Sequence, residues 1–266
     1  MEFAQDGWEN QVYQAECADM MSAMEPESVD LTVTSPPYDD LREYHGYEFS
    51  ARAVISGLHR VTKKGGVCVW VVGDKVNGGH SLTSFRQGLM FAQAGWTMHD
   101  VMIYQKKNVP FTRPLAYTKS FEYMFVASRG KPKTFNPIRT KSKWEGHYAQ
   151  RTARMPDGSL KKLGPSTVQP TKVLGNVWAY STGLGNTTCD KYAFEHPAMF
   201  PEKLAEDHVR SWSNPGDLVF DPMCGSGTTL KMAKMNGRRW LGCDVSEEYK
   251  VLAERRVADA KQTKFS

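Results

Sequence analysis

Two stretches of the chain hold residue types that could do chemistry. LVFDPMCGSGTTLKMA reads as a strand, a tight turn containing Gly225 and Gly227, and a helix; Asp244 follows 17 residues after Gly227, at the end of another apolar run. In a β-α-β unit such glycines let the backbone come close to a ligand, and an acid at the next strand end can accept hydrogen bonds from ribose hydroxyls. That pattern describes a nucleoside site, against the alternative of an ordinary strand-helix turn beside a solvated acid. The Gly-x-Gly-x-x-Gly pattern fails because position 230 is Leu, and no Gly-Lys-Ser/Thr follows, so grips for a pyrophosphate or a nucleoside triphosphate lack support. Asp221, ahead of the turn, would repel a phosphate and suits a ligand that ends in a cation. The second stretch is TSPPY, residues 34–38, directly after the apolar run VDLTV. Two successive prolines end a sheet ladder and stiffen the backbone, which holds Ser35 and Tyr38 in place at a strand end.

The elements that must position these residues alternate in kind. Residues 29–33 read as a strand, 50–61 have helical spacing, and 67–72 read as a buried strand after Gly65 and Gly66. Residues 81–94 read as a helix with Leu82, Phe85, Leu89 and Ala92 on one face, and strands are expected at 101–104 and 123–127. From Gly130 to about Thr188 no period is sustained, which predicts a loop-rich insertion. Order returns with Pro201 at a first helical position, Glu202 near that helix N-terminus and a stripe of Leu204, Ala205, His208, Val209 and Trp212. The glycine turn leads into a helix over 228–236, a strand covers 240–243, and Ser246 with Glu247 and Glu248 opens a last helix. Such alternation predicts a mostly parallel sheet covered by helices.

Composition is globular, with 40% hydrophobic and 24% charged residues and no repeat. The five cysteines, Cys17, Cys68, Cys189, Cys224 and Cys243, include no Cys-x-x-Cys pair, so neither a disulfide framework nor a structural zinc site is expected and a reducing, cytoplasmic setting fits. The opening MEFAQDGWEN lacks a basic segment followed by an apolar one, and the longest apolar run, 67–72, is too short to span a bilayer, which predicts a soluble, unexported protein. Net charge is +5, but residues 131–195 hold 11 Lys/Arg against 4 Asp/Glu, leaving 23 against 25 elsewhere. With Phe135, Trp144, Tyr148, Trp178 and Tyr180 interleaved, that region suits a polyanion whose bases offer flat faces. A solvated basic loop is the alternative.

Taken together the motifs resemble the amino-methylating DNA methyltransferases, which modify the exocyclic N4 of cytosine or N6 of adenine. DPMCGSGTT matches that family's DPFxGSGTT cofactor motif, and TSPPY matches its (D/N/S)PP(Y/F/W) catalytic motif. ECADMMSAMEPESVDLTVTSPPY is similar to the strand pair leading to the catalytic motif, with Asp19 at its acidic position. HPAMFPEKLAEDHVRSWSNPGDLVFDP is similar to the lead-in to the cofactor motif, and IYQKKNVPFTRP and FEYMFVASRGK resemble later strands. The match covers residues 16–130 and 195–257 in the order of the family's beta group, catalytic motif first and cofactor motif last. Met223 stands where Phe is usual and Asp244 where Glu is commoner.

The resemblance implies a circularly permuted, Rossmann-like α/β sheet of the S-adenosylmethionine-dependent methyltransferase kind, with an inserted loop-rich target-recognition region. Its parts would be a catalytic half at 11–130, the recognition region at 131–194 and a cofactor half at 195–258. It implies S-adenosyl-L-methionine as cofactor, held by Asp19, Thr34, His196, Pro197, Phe200, Asp221, Pro222, Met223, Gly225, Gly227, Thr228 and Asp244, with no metal. Catalysis falls to Ser35, Pro36, Pro37 and Tyr38: the Ser35 hydroxyl oxygen and Pro36 carbonyl accept the two amino N–H bonds, and Tyr38 stacks on a base flipped out of the duplex. Asp39 or Asp40 could receive the proton. The partner would be double-stranded DNA, contacted by Arg139, Lys141, Lys143, Arg151 and Arg154, with a restriction endonuclease as a further partner and a monomer or homodimer as the assembly. Ser35 points to cytosine N4, adenine N6 being the alternative. No Pro-Cys dipeptide occurs, so a carbon-5 cytosine route lacks its thiolate. Two other classes stay open: a DNA-binding module without catalysis, and an NAD-dependent oxidoreductase.

Overall fold

The computed structural model describes residues 7–37, 49–76, 79–109, 115–195 and 199–261. The chain divides into two compact units, Met1–Asn136 with Asn176–Ser266, and Pro137–Gly175. The first half of the larger unit runs β1 (Gln11–Gln14), α1 (Cys17–Ala23), β2 (Val29–Thr34), α2 (Ala51–Val61), β3 (Thr62–Val72), α3 (Thr83–Gln93), β4 (Thr97–Lys106) and β5 (Phe121–Ser128). The smaller unit holds β6 (Arg139–Lys141), β7 (Tyr148–Arg154), β8 (Leu160–Thr167) and β9 (Thr171–Val173). The larger unit resumes with β10 (Val177–Tyr180), a 3-10 turn at Lys191–Glu195, α4 (Glu202–Trp212), β11 (Leu218–Asp221), α5 (Thr228–Met235), β12 (Arg239–Asp244) and α6 (Glu247–Asp259).

The larger unit's eight strands lie in the order β1-β12-β11-β2-β3-β5-β4-β10, and only β5 runs antiparallel to its neighbours. The expected mostly parallel α/β sheet is therefore the observed one. From β2 the chain moves through α2 to β3 on one side, whereas β11 leads through α5 to β12 on the other, so the direction of winding reverses between β2 and β11. Open α/β sheets bind ligands beyond the carboxyl ends of strands at such a point.

Burial explains the strand sequences. β2 is buried along its whole length, which is why VDLTVT is nearly continuous rather than alternating. Its one charge, Asp30, sits at the start of the strand, where it pairs with Lys63 and Lys133 and accepts the Leu218 N–H. Beneath α1, α2 and α3 the core gathers Met20, Met21, Ile55, Leu58, Trp70 and Phe91. In α4 the stripe of Leu204, Ala205, His208, Val209 and Trp212 is buried as its spacing predicts.

Three expectations need correction. The segment leading to the catalytic motif is not a strand pair: Glu16 accepts from the Ala18 and Asp19 amides and starts α1. In α3 the apolar face looks outward, with Leu82 and Phe85 each 52% and Leu89 66% exposed, while Ser84, Gln87 and Phe91 are buried. Gln87 turns inward because its Oε1 accepts the Trp70 indole N–H at 2.8 Å. The region after Gly130 is also more ordered than its text suggests. The smaller unit is two antiparallel ribbons, β6 with β9 and β7 with β8. β8 is exposed almost throughout, so no buried face imposes a period-2 pattern. That unit runs Pro137–Gly175, and β10, which follows it, pairs with β4 in the main sheet.

Candidate functional site

The pairing of β2 with β11 brings the two motifs together at the carboxyl ends of the strands. The Thr34 hydroxyl donates to Asp221 Oδ1 at 2.7 Å across 187 residues of sequence, and the Thr229 hydroxyl donates to the Val33 carbonyl at 2.9 Å. The cofactor-type motif is thus bonded to the catalytic-type strand at its last two residues. Asp221 is fully buried and takes a further N–H from Met223 at 3.2 Å. Burial pushes its carboxyl up to about 6, the Thr34 and Met223 bonds only partly offsetting it. Among the described residues no cation pairs with this acid, an arrangement that favours a positively charged ligand group.

The glycine turn stands on glycine geometry. Gly225 and Gly227 have φ of 47° and 75°, in the left-handed region, and Gly227 caps α5. A Cβ on Gly227 would lie 2.8 Å from the Ala253 Cβ of α6, so only glycine lets the turn pack there. Asp244, at the end of β12, accepts the Gly225 amide on Oδ2 at 2.9 Å and the Ser246 amide on Oδ1 at 3.0 Å. Burial raises its carboxyl despite those bonds. A carboxylate can accept about four hydrogen bonds, so acceptor capacity for a ligand hydroxyl remains.

The remaining site residues fall as follows. Ser35 is partly buried, Pro36 buried and Pro37 partly buried, directly beyond β2. Tyr38, Asp39 and Asp40 lie outside the described residues, as do His196 and Pro197. Pro222 and Thr228 are buried within the glycine segment, Met223 is partly buried and Phe200 is partly buried ahead of α4. Asp19 is exposed in the first turn of α1. Sequence reasoning missed Thr229, whose position in GSGTT was the available signal, and it missed Arg256 and Asp190, which carried none.

The smaller unit presents its cations by itself. Across the β7–β8 ribbon Arg151 faces Leu163, Thr152 faces Lys162 and Ala153 faces Lys161. Strand alternation then puts Arg151 and Lys161 on one face and Arg154 and Lys162 on the other. Lys141 and Lys143 are exposed, and Arg139 is committed to Thr171, whose hydroxyl and carbonyl it reaches at 2.8 and 3.0 Å. Among the described residues no three His, Cys, Asp or Glu side chains cluster to hold a metal, and no helix is long and apolar enough to cross a membrane.

A nucleoside-type turn bonded to the end of the strand that leads into a stiff Ser-Pro-Pro segment suits transfer of a group from a nucleoside cofactor to a held acceptor, and the comparisons specify which. The chain belongs to the N6/N4 family of DNA methylases, whose family model matches residues 29–255. It is 48% identical over 243 residues to the orphan methyltransferase M.BamHII of Bacillus amyloliquefaciens, covering 86% of this chain and 89% of that one. The fold matches the PvuII DNA methyltransferase, a cytosine-N4-specific enzyme, at a TM-score of 0.66 and 19% identity over 95% of this chain and 87% of that one. It also matches M1.HpyAVI, solved as its S-adenosylmethionine complex, at a TM-score of 0.61 and 21% identity over 93% and 98% of the two chains. Its activity is DNA methyl transfer, and DNA is its substrate.

Proposed function

We propose that the enzyme moves a methyl group from S-adenosyl-L-methionine to the exocyclic N4 of a cytosine flipped out of duplex DNA. The observation that carries this reading is Ser35, placed one residue beyond the Thr34–Asp221 bond at the end of β2. In the family the motif's first position is associated with Ser in cytosine-N4 members and Asp in adenine-N6 members. A cytosine amino nitrogen is a poor nucleophile because its lone pair is delocalised into the ring. Two acceptors aimed at its N–H bonds pull that pair out of conjugation, and Ser35 Oγ with the Pro36 carbonyl are the pair this chain provides. The prolines fix the carbonyl's direction, so the rate comes chiefly from positioning and preorganised dipoles.

The cofactor fits the residues present. Asp221, a buried acid whose hydrogen bonds come from neutral groups, suits an ammonium; Asp244 keeps acceptor capacity for ribose hydroxyls; the glycine turn removes side chains where a nucleoside approaches. When bound, S-adenosylmethionine supplies a methyl activated by its sulfonium. Tyr38 is assigned the face of the flipped base, and Asp39 or Asp40 the departing proton. Flipping costs a few kcal/mol, offset by stacking and edge hydrogen bonds. The order of motifs along the chain supports a permuted arrangement, with residues 11–130 and 195–258 forming the two halves. The ribbons of 137–175 serve target recognition, with Arg151 and Arg154 joined by Lys161 and Lys162.

The test is transfer of label from methyl-labelled S-adenosylmethionine to mixed-sequence duplex DNA. Incorporation is expected for the wild-type chain and loss of at least about 100-fold for Ser35→Ala, the scale of one preorganised hydrogen-bonding group, with cofactor binding retained. Binding of a nicotinamide dinucleotide but not of S-adenosylmethionine would overturn the reading.

A further inference from the structure

Behind the glycine turn lies a charged network that the chemistry above does not use. Arg256 of α6 is completely buried, yet its guanidinium meets acceptors on every side. Nη1 donates to the Ser226 carbonyl at 2.8 Å, to Ser226 Oγ at 2.9 Å and to Thr228 Oγ1 at 3.0 Å. Nε reaches Asp190 Oδ2 at 3.0 Å, and Nη2 reaches Glu202 Oε1 at 2.7 Å and Thr188 Oγ1 at 3.4 Å. Lys231 of α5 bridges the same two acids at 2.7 Å each, so two cations balance two acids. Four separate pieces of chain meet there: the glycine turn with α5, the first turn of α4, the Thr188–Asp190 segment and α6.

A buried ion cluster is a weak device for stability, because desolvation cancels most of its Coulomb gain. What it does here is geometric. In Gly225-Ser226-Gly227 both glycines can adopt many backbone conformations, and the backbone bond that closes the turn, from the Gly227 amide to the Cys224 carbonyl at 2.7 Å, leaves the Ser226 peptide between them to be held from outside. Asp244 fixes one end by taking the Gly225 amide. Ser226, the turn's one side chain, lies between the glycines, and both its carbonyl and its hydroxyl are held by a single guanidinium nitrogen.

We propose that Arg256 is a positioning residue for the cofactor: it holds the glycine turn in its binding shape from behind, with Asp190 and Glu202 orienting the guanidinium. This rests on the reading of the turn as the S-adenosylmethionine site. Arg256 is completely buried behind the turn and acts through it, so its loss weakens cofactor capture far more than turnover at saturating cofactor.

The experiment compares Arg256→Met, Arg256→Lys and Ser226→Ala in the full chain, with the S-adenosylmethionine Kd measured by calorimetry, melting temperature as a check on folding, and KM and kcat from methyl transfer. Arg256→Met is expected to raise Kd about 30-fold, which is about 2 kcal/mol, with KM for the cofactor rising in parallel and kcat changing much less. Arg256→Lys should recover part of that loss, and Ser226→Ala should raise Kd about 5-fold, or about 1 kcal/mol, with little change in melting temperature. Folded variants with lowered melting temperatures but wild-type Kd would make Arg256 a purely structural residue and overturn the inference. If Arg256→Met does not fold, wild-type Kd in both Arg256→Lys and Ser226→Ala overturns it equally. A wild-type chain that takes up no S-adenosylmethionine would overturn the functional reading, and the inference with it.

Discussion

Replacing Asp221 by Asn should make the unliganded enzyme more stable while disabling it. The carboxyl is fully buried and its ordinary value of 3.8 is pushed up to about 6, burial being the main cause. A rise of that size corresponds to about 3 kcal/mol of cost for carrying the charge. The sign follows from proton counting. Between pH 3.8 and about 6 the native state binds more protons at this site than the unfolded state does, so the site's contribution to stability falls as pH rises through that window. The full cost is present above about pH 7 and disappears as the pH drops towards 4. Asn keeps the shape and can still accept from Thr34, but its amide needs an acceptor of its own, so a net gain of about 1 to 3 kcal/mol at pH 8 is expected. Urea unfolding of wild type and Asp221→Asn without cofactor, at pH 8 and at pH 4.5, measures it, and the difference should shrink at the lower pH. In the same variant S-adenosylmethionine affinity should fall by at least about tenfold, as expected for a lost ionic hydrogen bond. A variant no more stable at pH 8, or one whose advantage ignores pH, would refute the charge cost assigned to Asp221.

Gly227→Ala combines a φ of 75° with a Cβ 2.8 Å from that of Ala253, so a loss of about 2 to 4 kcal/mol and weakened cofactor binding are expected in urea unfolding and calorimetry. Asp30→Ala strips the acceptor from Lys63, Lys133 and the Leu218 amide. It should cost about 3 kcal/mol in the same unfolding assay and leave cofactor affinity unchanged, because Asp30 lies at the opposite end of β2 from Thr34. Replacing Lys161 and Lys162 together by Ala should lower the slope of log affinity for duplex DNA against log salt by about 0.9 for each phosphate these lysines neutralise. An unchanged slope in anisotropy titrations would remove the β7–β8 ribbon from the DNA interface.

The sheet and the paired motifs were largely legible because their signals are local. Buried parallel strands write continuous apolar runs, and a glycine turn between strand and helix is contiguous. The Thr34–Asp221 bond joins strands 187 residues apart, and only the resemblance to a permuted sheet, not any local signal, pointed to one domain shared by both halves. Other features resisted reading for physical reasons. Leu82, Phe85 and Leu89 have the spacing of a core stripe, yet the Gln87–Trp70 bond turns the opposite face of α3 inward. The ribbons of 137–175 have no buried face in β8 to impose alternation. Arg256, Asp190, Glu202 and Lys231 each look like ordinary surface residues in sequence, since a buried charge announces itself only when its partners from other segments are assembled around it.

Digesting methylated DNA to nucleosides tests the central claim most directly. Mixed-sequence duplex incubated with the enzyme and S-adenosylmethionine, hydrolysed and resolved by mass spectrometry, should yield N4-methylcytosine, because Ser35 rather than Asp leads the Pro-Pro motif at the end of β2. N6-methyladenine as the sole product would contradict the assignment of the target base to Ser35, and no methylated nucleoside at all would contradict the joined ends of β2 and β11 as a catalytic site.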